Sequence, residues 1–258
     1  MAAFFYKFKK IMRNLKQFNT TADYEVAESG LILPNVSLIT ENSVVKYTQG
    51  SPEPPTPSHD YVEIAGTKWA TMNIGASSVT DYGLYFQWGD TQGYTASQVG
   101  SGEGQKYFAW TDYKYTNDDG STMSKYNSAD GLTTLENLDD AVTSAWGNWW
   151  RTPTKDEFVA LGAAVNTAWT ADYQGSGVSG LVLTDKADSS KVLFFPAAGI
   201  CYNGSNVSVG GIGYYRSSIL YSGNVKQSYV LRFVSAGEVW DSRVERYYGF
   251  NVRGVMNE

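Results

Sequence analysis

Apolar side chains near the start of the chain fall at Phe4, Phe8, Ile11, Leu15 and Phe18, in steps of four, three, four and three. That spacing predicts one face of a helix over residues 4–18. Lys7, Lys9, Lys10, Arg13 and Lys16 fall mostly off that face. A basic amphipathic helix can lie on a membrane surface, but packing on a partner or on a second copy of the chain is the favoured reading. Thr21 is placed to cap a second short helix, residues 22–29, closed by Gly30. The period then shortens. Two β-branched runs, residues 35–40 and 43–47, flank Glu41-Asn42 and predict a hairpin. A lone hairpin is marginal in water, so it should pack on something else. Residues 50–58 hold four prolines and read as a stiff, extended linker. The expected organisation is therefore an N-terminal helix and hairpin module (1–50), a linker (51–59) and one domain (60–258).

In that domain the predicted strands are short and the loops long. Tyr61–Ile64 and Lys68–Ile74 form an opening hairpin, and Gly83–Trp88 reads as a further apolar strand. A short helix is predicted over Asn137–Trp146. Thr154-Lys-Asp-Glu157 is a capping box, just after Pro153, for a helix running through Phe158 and Leu161 to about Val165. Strands follow at Gly180–Thr184 and Lys191–Phe195, then from Gly213, Ser228 and Tyr248 onward. Many strands with few helices make the class α+β. In the run from Tyr229 to Val234, Tyr229, Leu231 and Phe233 share one face, and Val230, Arg232 and Val234 the other. Burying an unpaired guanidinium is costly, so Leu231 and Phe233 should face the core and Arg232 should face out. The same reasoning turns Phe250 and Val252 inward, with Asn251 and Arg253 on the opposite face. Residues 235–247 show no stable period, and Trp240 within them is either a loop anchor or a contact residue.

Composition narrows the chemistry. The 258 residues are 42% apolar and 15% aromatic, enough for a sizeable core without disulfides, and only 18% charged, against about 25% for a typical domain. A net charge of −6 argues against a nucleic-acid partner, because phosphate binding needs a basic patch. Cys201 is the single cysteine and is expected as a packed residue in a loop. His59 is the single histidine and borders the proline-rich stretch. These two cannot build a Cys/His zinc site. A Ser-His-Asp or Cys-His mechanism would need His59 to reach the fold from a flexible edge. Asn117-Asp-Asp-Gly120 is the one run suggestive of a calcium cluster and reads as a turn. Asp139-Asp140 reads as a first-turn or packing feature, and no carboxylate pair stands out for glycoside hydrolysis. Trp146, Trp149 and Trp150 could stack sugars but read better as core. No apolar stretch approaches the roughly 20 residues of a membrane span. The N-terminus lacks the pattern of a secretory signal, and Met12 offers a second start, which would make residues 1–11 an upstream extension. No catalytic residue, metal or cofactor is expected, and the chain is read as not an enzyme.

Residues 199–255 carry instead the side chains that recognition surfaces favour: Tyr, Trp, Arg, Ser, Gly and Asn. The candidate ligand-binding residues are Tyr202, Asn203, Arg216, Tyr221, Asn224, Arg232, Trp240, Asp241, Arg243, Glu245 and Tyr247. They are expected on one concave or flat face formed by residues 200–210 and 216–248.

Several ordered blocks carry a resemblance: Lys68-Trp-Ala-Thr-Met-Asn-Ile-Gly75, Asp81-Tyr-Gly-Leu-Tyr-Phe-Gln-Trp-Gly-Asp90, Lys125-Tyr-Asn127, Leu138-Asp-Asp-Ala141, Trp146-Gly-Asn-Trp-Trp-Arg-Thr-Pro-Thr-Lys155, Phe195-Pro-Ala-Ala-Gly199, Gly213-Tyr-Tyr-Arg-Ser-Ser218 and Gly249-Phe-Asn-Val-Arg253. Over roughly residues 60–255 the chain resembles the Fibrobacter succinogenes major paralogous domain family. That family has a C-type-lectin-like fold related to the formylglycine-generating-enzyme superfamily. The N-terminal segment and linker look like those of prophage-encoded members. The resemblance implies a phage or prophage tail-tip receptor-binding protein, on the virion or at a bacterial cell surface, binding a host cell-surface protein or glycan. It also implies a C-terminal segment of the kind diversified by a retroelement. The amphipathic helix, the small hairpin and the proline linker point to assembly or attachment through residues 1–50, as a homo-oligomer, a trimer by analogy with fibre tips. Two departures stand out: Arg216 where the family commonly has Trp, and Asn251-Val-Arg-Gly254 where it has Ser-Val-Arg-Pro. The superfamily's oxidase chemistry would need paired cysteines, which a single Cys201 excludes. The alternative is a carbohydrate-binding or surface structural domain without diversification.

Overall fold

The computed structural model describes residues 36–41, 44–49, 59–117 and 119–257. The chain divides into two compact units, Met1–Pro54 and Pro55–Glu258. In the first, β1 (Val36–Glu41) pairs antiparallel with β2 (Val44–Gln49). Glu41 lies opposite Val44, so Glu41 belongs to β1 rather than to the turn where the sequence pattern placed it. The helix expected over 4–18, the cap at Thr21 and the linker residues 51–58 lie outside the described residues.

Strands dominate the second unit and helices are few, an arrangement of the α+β kind. β3 (Tyr61–Ile64) and β4 (Thr67–Asn73) form the opening hairpin. They belong to a four-stranded sheet of order β3-β4-β14-β5, in which β14 (Arg253–Met256) lies between β4 and β5 (Trp150–Arg151). A second sheet is β6 (Val165–Thr170), β7 (Gly180–Asp185) and β8 (Val192–Pro196). The short pair β9 (Ile200–Tyr202) and β10 (Ser205–Val207) follows. A third sheet joins β11 (Ile212–Leu220), β12 (Gln227–Val234) and β13 (Gly237–Glu245) in that order. One core cluster draws on all three larger sheets: Trp69, Leu183, Phe195, Tyr215, Leu231, Phe233 and Val255, with Phe158 and Leu161 from a helix packed among them.

That helix, α2 (Lys155–Ala164), starts where its capping box places it. Glu157 N–H donates to Thr154 Oγ1 at 3.1 Å, and Thr154 N–H donates to Glu157 Oε2 at 2.6 Å. The shorter helix α1 (Ala141–Trp146) begins later than expected. Residues 137–139 form a separate 3₁₀ turn, and Asp140 breaks the two apart by capping α1, its Oδ1 accepting from Val142 and Thr143 N–H.

Several expectations are corrected. Residues 83–88 are not a strand; they make only isolated bridges, Tyr85 with Tyr94 and Phe86 with Phe250. Residues 237–245, aperiodic in sequence, are a strand. Arg232 is half-buried and Leu231 and Phe233 fully buried, as the alternation required. Val230, assigned outward, is fully buried, while Tyr229, assigned inward, is half-exposed. Val230 pairs with Arg216, whose guanidinium is itself bonded to the chain at residues 245–248. Asn251 and Arg253, placed opposite the core, are also fully buried. Asn251 Nδ2 donates to the carbonyls of Tyr82 and Leu84. Arg253 donates to Asn73 Oδ1 and to the carbonyls of Ala70 and Phe194, with its guanidinium 4.5 Å from the Phe195 ring centre. Cys201 lies in β9 rather than a loop, fully buried, and burial pushes its thiol pKa up. The His59 ring sits 4.0 Å from that of Trp146, against the fold rather than on a free edge.

Candidate functional site

The two faces of the β11–β12–β13 sheet have different surroundings. Tyr215 pairs with Leu231 and Gly213 with Phe233, so these four share a face, the one that α2 covers through Phe158 and Leu161. Tyr214 pairs with Arg232 and Arg216 with Val230, on the opposite face. Here the chain from 245 to 250 crosses over Arg216. Arg216 is fully buried. Its Nη1 donates to Ser228 Oγ at 2.8 Å, and its Nη2 to the carbonyls of Glu245 and Arg246 at 3.2 Å and of Tyr248 at 2.5 Å. The guanidinium stacks 4.4 Å from the centre of the Phe250 ring.

Above this foundation a row of rings reaches solvent. Trp110 meets Tyr247 at 4.8 Å between centroids, Tyr247 meets Tyr248 at 4.5 Å, and Tyr248 meets Tyr202 at 5.6 Å. Through buried Phe250, 5.9 Å from Tyr248, the row continues to Tyr214, stacked at 4.5 Å. Arg232 Nε then donates to Tyr214 OH at 3.3 Å. Trp110, Tyr202, Tyr214, Tyr247 and Tyr248 are all half-buried, packed on one side and open on the other. Burial pushes the Tyr247 phenol pKa up, and its hydrogen bond with Tyr248 adds to that.

Trp110 is held by a loop built around one carboxylate. Asp112 Oδ2 accepts the N–H groups of Tyr107 and Phe108 at 3.0 Å, and Oδ1 accepts that of Ala109 at 2.8 Å and Gln87 Nε2 at 3.1 Å. Phe108, fully buried, takes a left-handed φ of 57° to close this ring of donors. Beneath the Trp110 ring lies Gly120, where a Cβ would come within 2.4 Å of the indole.

The structure does not gather the candidates on one face. Tyr202, Tyr247 and Arg232 belong to the aromatic row, and Asn203, exposed at a φ of 47°, lies beside Tyr202. Tyr221 and Arg243 form a second group, with the guanidinium 4.8 Å from the Tyr221 ring centre. Tyr229 pairs with Arg243 and meets Tyr221 at 5.6 Å, so this group lies on the α2 side of the sheet. Asn224 shapes the turn between β11 and β12, its Oδ1 accepting from Lys226 N–H. Asp241 is exposed. Glu245 is half-buried, with Oε1 accepting from Gln227 Nε2 and its carbonyl held by Arg216. Trp240 packs against the core cluster and over Gly162, where a Cβ would approach the indole to 2.5 Å. It is an anchor. Arg216 is a correction of another kind, since a fully buried guanidinium cannot touch a ligand.

Three residues of the row, Trp110, Tyr214 and Tyr248, are not among the sequence candidates. Trp110 lies far upstream of the tyrosine-rich third, and only the folded chain brings it to Tyr247. Among the described residues no three His, Cys, Asp or Glu side chains group as metal ligands do, and no helix is long and apolar enough to cross a membrane. No known protein family, curated protein or solved structure matches the chain.

Proposed function

We propose that the protein is a non-enzymatic ligand-binding protein whose contact surface is the row Trp110, Tyr247, Tyr248 and Tyr202, extended by Tyr214 and Arg232. The observation that carries this reading is the continuity of half-exposed aromatic rings over a buried support in which the Arg216 Nη atoms are bonded to Ser228 and to the chain at residues 245–248. Large amphipathic rings give contact area at low entropic cost, and aromatic and arginine side chains are the commonest energetic anchors of interfaces. In this reading the second unit is a lectin-like domain. The chain serves as a receptor-binding protein of a phage or prophage tail tip, on the virion or at a bacterial cell surface. Residues 1–50 assemble it into a homo-oligomer, and the ligand is a host cell-surface protein or glycan. The C-terminal segment, with half-exposed rings set among buried neighbours, suits diversification. A reverse transcriptase gene beside a near-copy of this gene's 3′ end would support that part, and its absence would leave binding without diversification.

The binding reading is tested by Trp110→Ala, Tyr247→Ala and Tyr248→Ala, alone and together, measuring adsorption to host cells or their surface extract alongside thermal melting. Loss of adsorption with melting retained is expected. Adsorption unchanged in the triple variant removes this surface from consideration.

A further inference from the structure

We infer that Arg216 and Arg246 are positioning residues that pin the Tyr247–Tyr248 ridge in its binding conformation before any ligand arrives. The inference rests on the proposed contact surface for its functional meaning, and on the side-chain geometry for its physical content.

The stretch Glu245–Tyr248 carries the two central rings of the row and is held at both ends of the same short path. Arg216 comes to it from β11 and takes the carbonyls of Glu245, Arg246 and Tyr248 on a single nitrogen, Nη2. Arg246 is part of the stretch and reaches out of it. Its Nε donates to Tyr113 OH at 2.7 Å, Nη1 to the carbonyls of Tyr126 and Val225, and Nη2 to that of Lys125. Its guanidinium lies 4.7 Å from the Trp88 ring centre and 5.1 Å from that of Tyr113. The backbone of Arg246 is tied as well, its N–H to Lys226 and its carbonyl to Trp88 N–H. Both arginines are fully buried.

Among the described residues neither guanidinium has a carboxylate in salt-bridge contact. A buried cation without a counter-ion is tolerated only when dipoles replace one. Backbone carbonyls supply most of them here, beside Ser228 Oγ and Tyr113 OH, and each bond to a carbonyl fixes a point of the chain. Satisfying the two charges and ordering the ridge are therefore one event. A planar fork of five donors can span several acceptors at once, whereas a lysine ammonium presents its donors from a single point. Between them the two arginines immobilise residues 245, 246 and 248 and leave the Tyr247 and Tyr248 rings facing outward. A surface ordered in advance loses less entropy on binding. Ring identity can then change without change of backbone, so the arginines set the shape of the surface and the rings set its preference.

The test uses the full chain without ligand. Backbone ¹⁵N order parameters of Tyr247 and Tyr248 are compared with those of β12, and 5-fluorotryptophan incorporation makes the Trp110 ring a ¹⁹F reporter of Tyr247, its signal assigned by loss in Trp110→Phe. In the wild-type chain, order parameters at Tyr247 and Tyr248 equal to those of β12 are expected, and lower values overturn the inference without need of any variant. In Arg216→Lys and Arg246→Lys the Trp110 signal should shift or broaden, and the order parameters at 247 and 248 should drop while those of β12 hold. An unchanged Trp110 signal and unchanged order in both folded variants would overturn it. A general loosening that includes β12 would make the arginines structural supports only and would likewise overturn it. The reading of the row as a contact surface is tested separately, by adsorption of the ring variants, and either can fail while the other stands.

Discussion

Asp139 shows how a single buried carboxylate carries a pH dependence. Burial pushes its pKa up, but hydrogen bonds from Lys125, Tyr115, Tyr126 and Lys114 outweigh burial and hold it well below the ordinary 3.8. Lys125 Nζ and Tyr126 OH each lie 2.6 Å from Oδ2, and Lys114 Nζ lies 3.2 Å from Oδ1. A carboxylate whose pKa is lowered by folding stabilises the fold fully above its unfolded value, and that stability is lost as pH falls through the folded one. Urea midpoints should therefore be level above about pH 5 and decline below it, with a shallower decline in Asp139→Asn. An equal slope in the variant would show that other carboxylates govern the acid limb. The framework residues give a second test. Phe233→Ala should cost about 3–5 kcal/mol, and Arg232→Ala less than about 1 kcal/mol. Equal melting shifts would reverse the faces of β12. The error at Arg216 and Arg253 has the same physical root as the success at Arg232. The cost of burying an unpaired guanidinium is real, but a sequence does not show the carbonyls of residues 245–248 or of Phe194 that provide the pairing.

At the scale of elements, local signals sufficed wherever the determinant was local. The Thr154–Glu157 box, the β3–β4 hairpin and the strands β7 and β8 all lie where pattern places them, because caps, turns and alternation act over a few residues. Thr154→Ala should destabilise the protein by about 1 kcal/mol, measured by chemical denaturation, and a neutral result would mean that the bidentate Arg151–Glu157 pair at 2.6 and 2.7 Å anchors the helix start alone. Residues 83–88 failed as a strand because an apolar run is compatible with buried loop, and here the partners are single-residue bridges, to nearby Tyr94 and to the distant Phe250. β13 was hidden for a different reason. Its exposure alternates without a break through Val244, but the half-buried positions are filled by Glu238, Trp240, Ser242 and Val244, which no hydrophobicity period joins. The aromatic row was half readable. Its tyrosines stood out by composition, whereas Trp110 depends on the strained Phe108 and the Asp112 carboxylate, neither of which leaves a mark in the sequence.

For the whole molecule, the proposed assembly role of residues 1–50 predicts that the full chain scatters as an oligomer and residues 59–258 as a monomer. Two monomers would refute it. A different consequence follows from the position of β14. The edge that β4 offers is completed by Arg253–Met256, and Arg253 bonds Ala70 over a sequence separation of 183. Closure over so long a separation is slow, because the entropy of the loop is lost before the contacts repay it. During synthesis the first hairpin must wait, with Trp69 still uncovered, until the ribosome has made residue 255. Every ring of the proposed contact surface has by then been translated. A frameshift or premature stop between Gly199 and Tyr248 removes the strand that closes the sheet, so a broken message yields a chain that cannot complete its fold rather than a folded protein with a defective surface.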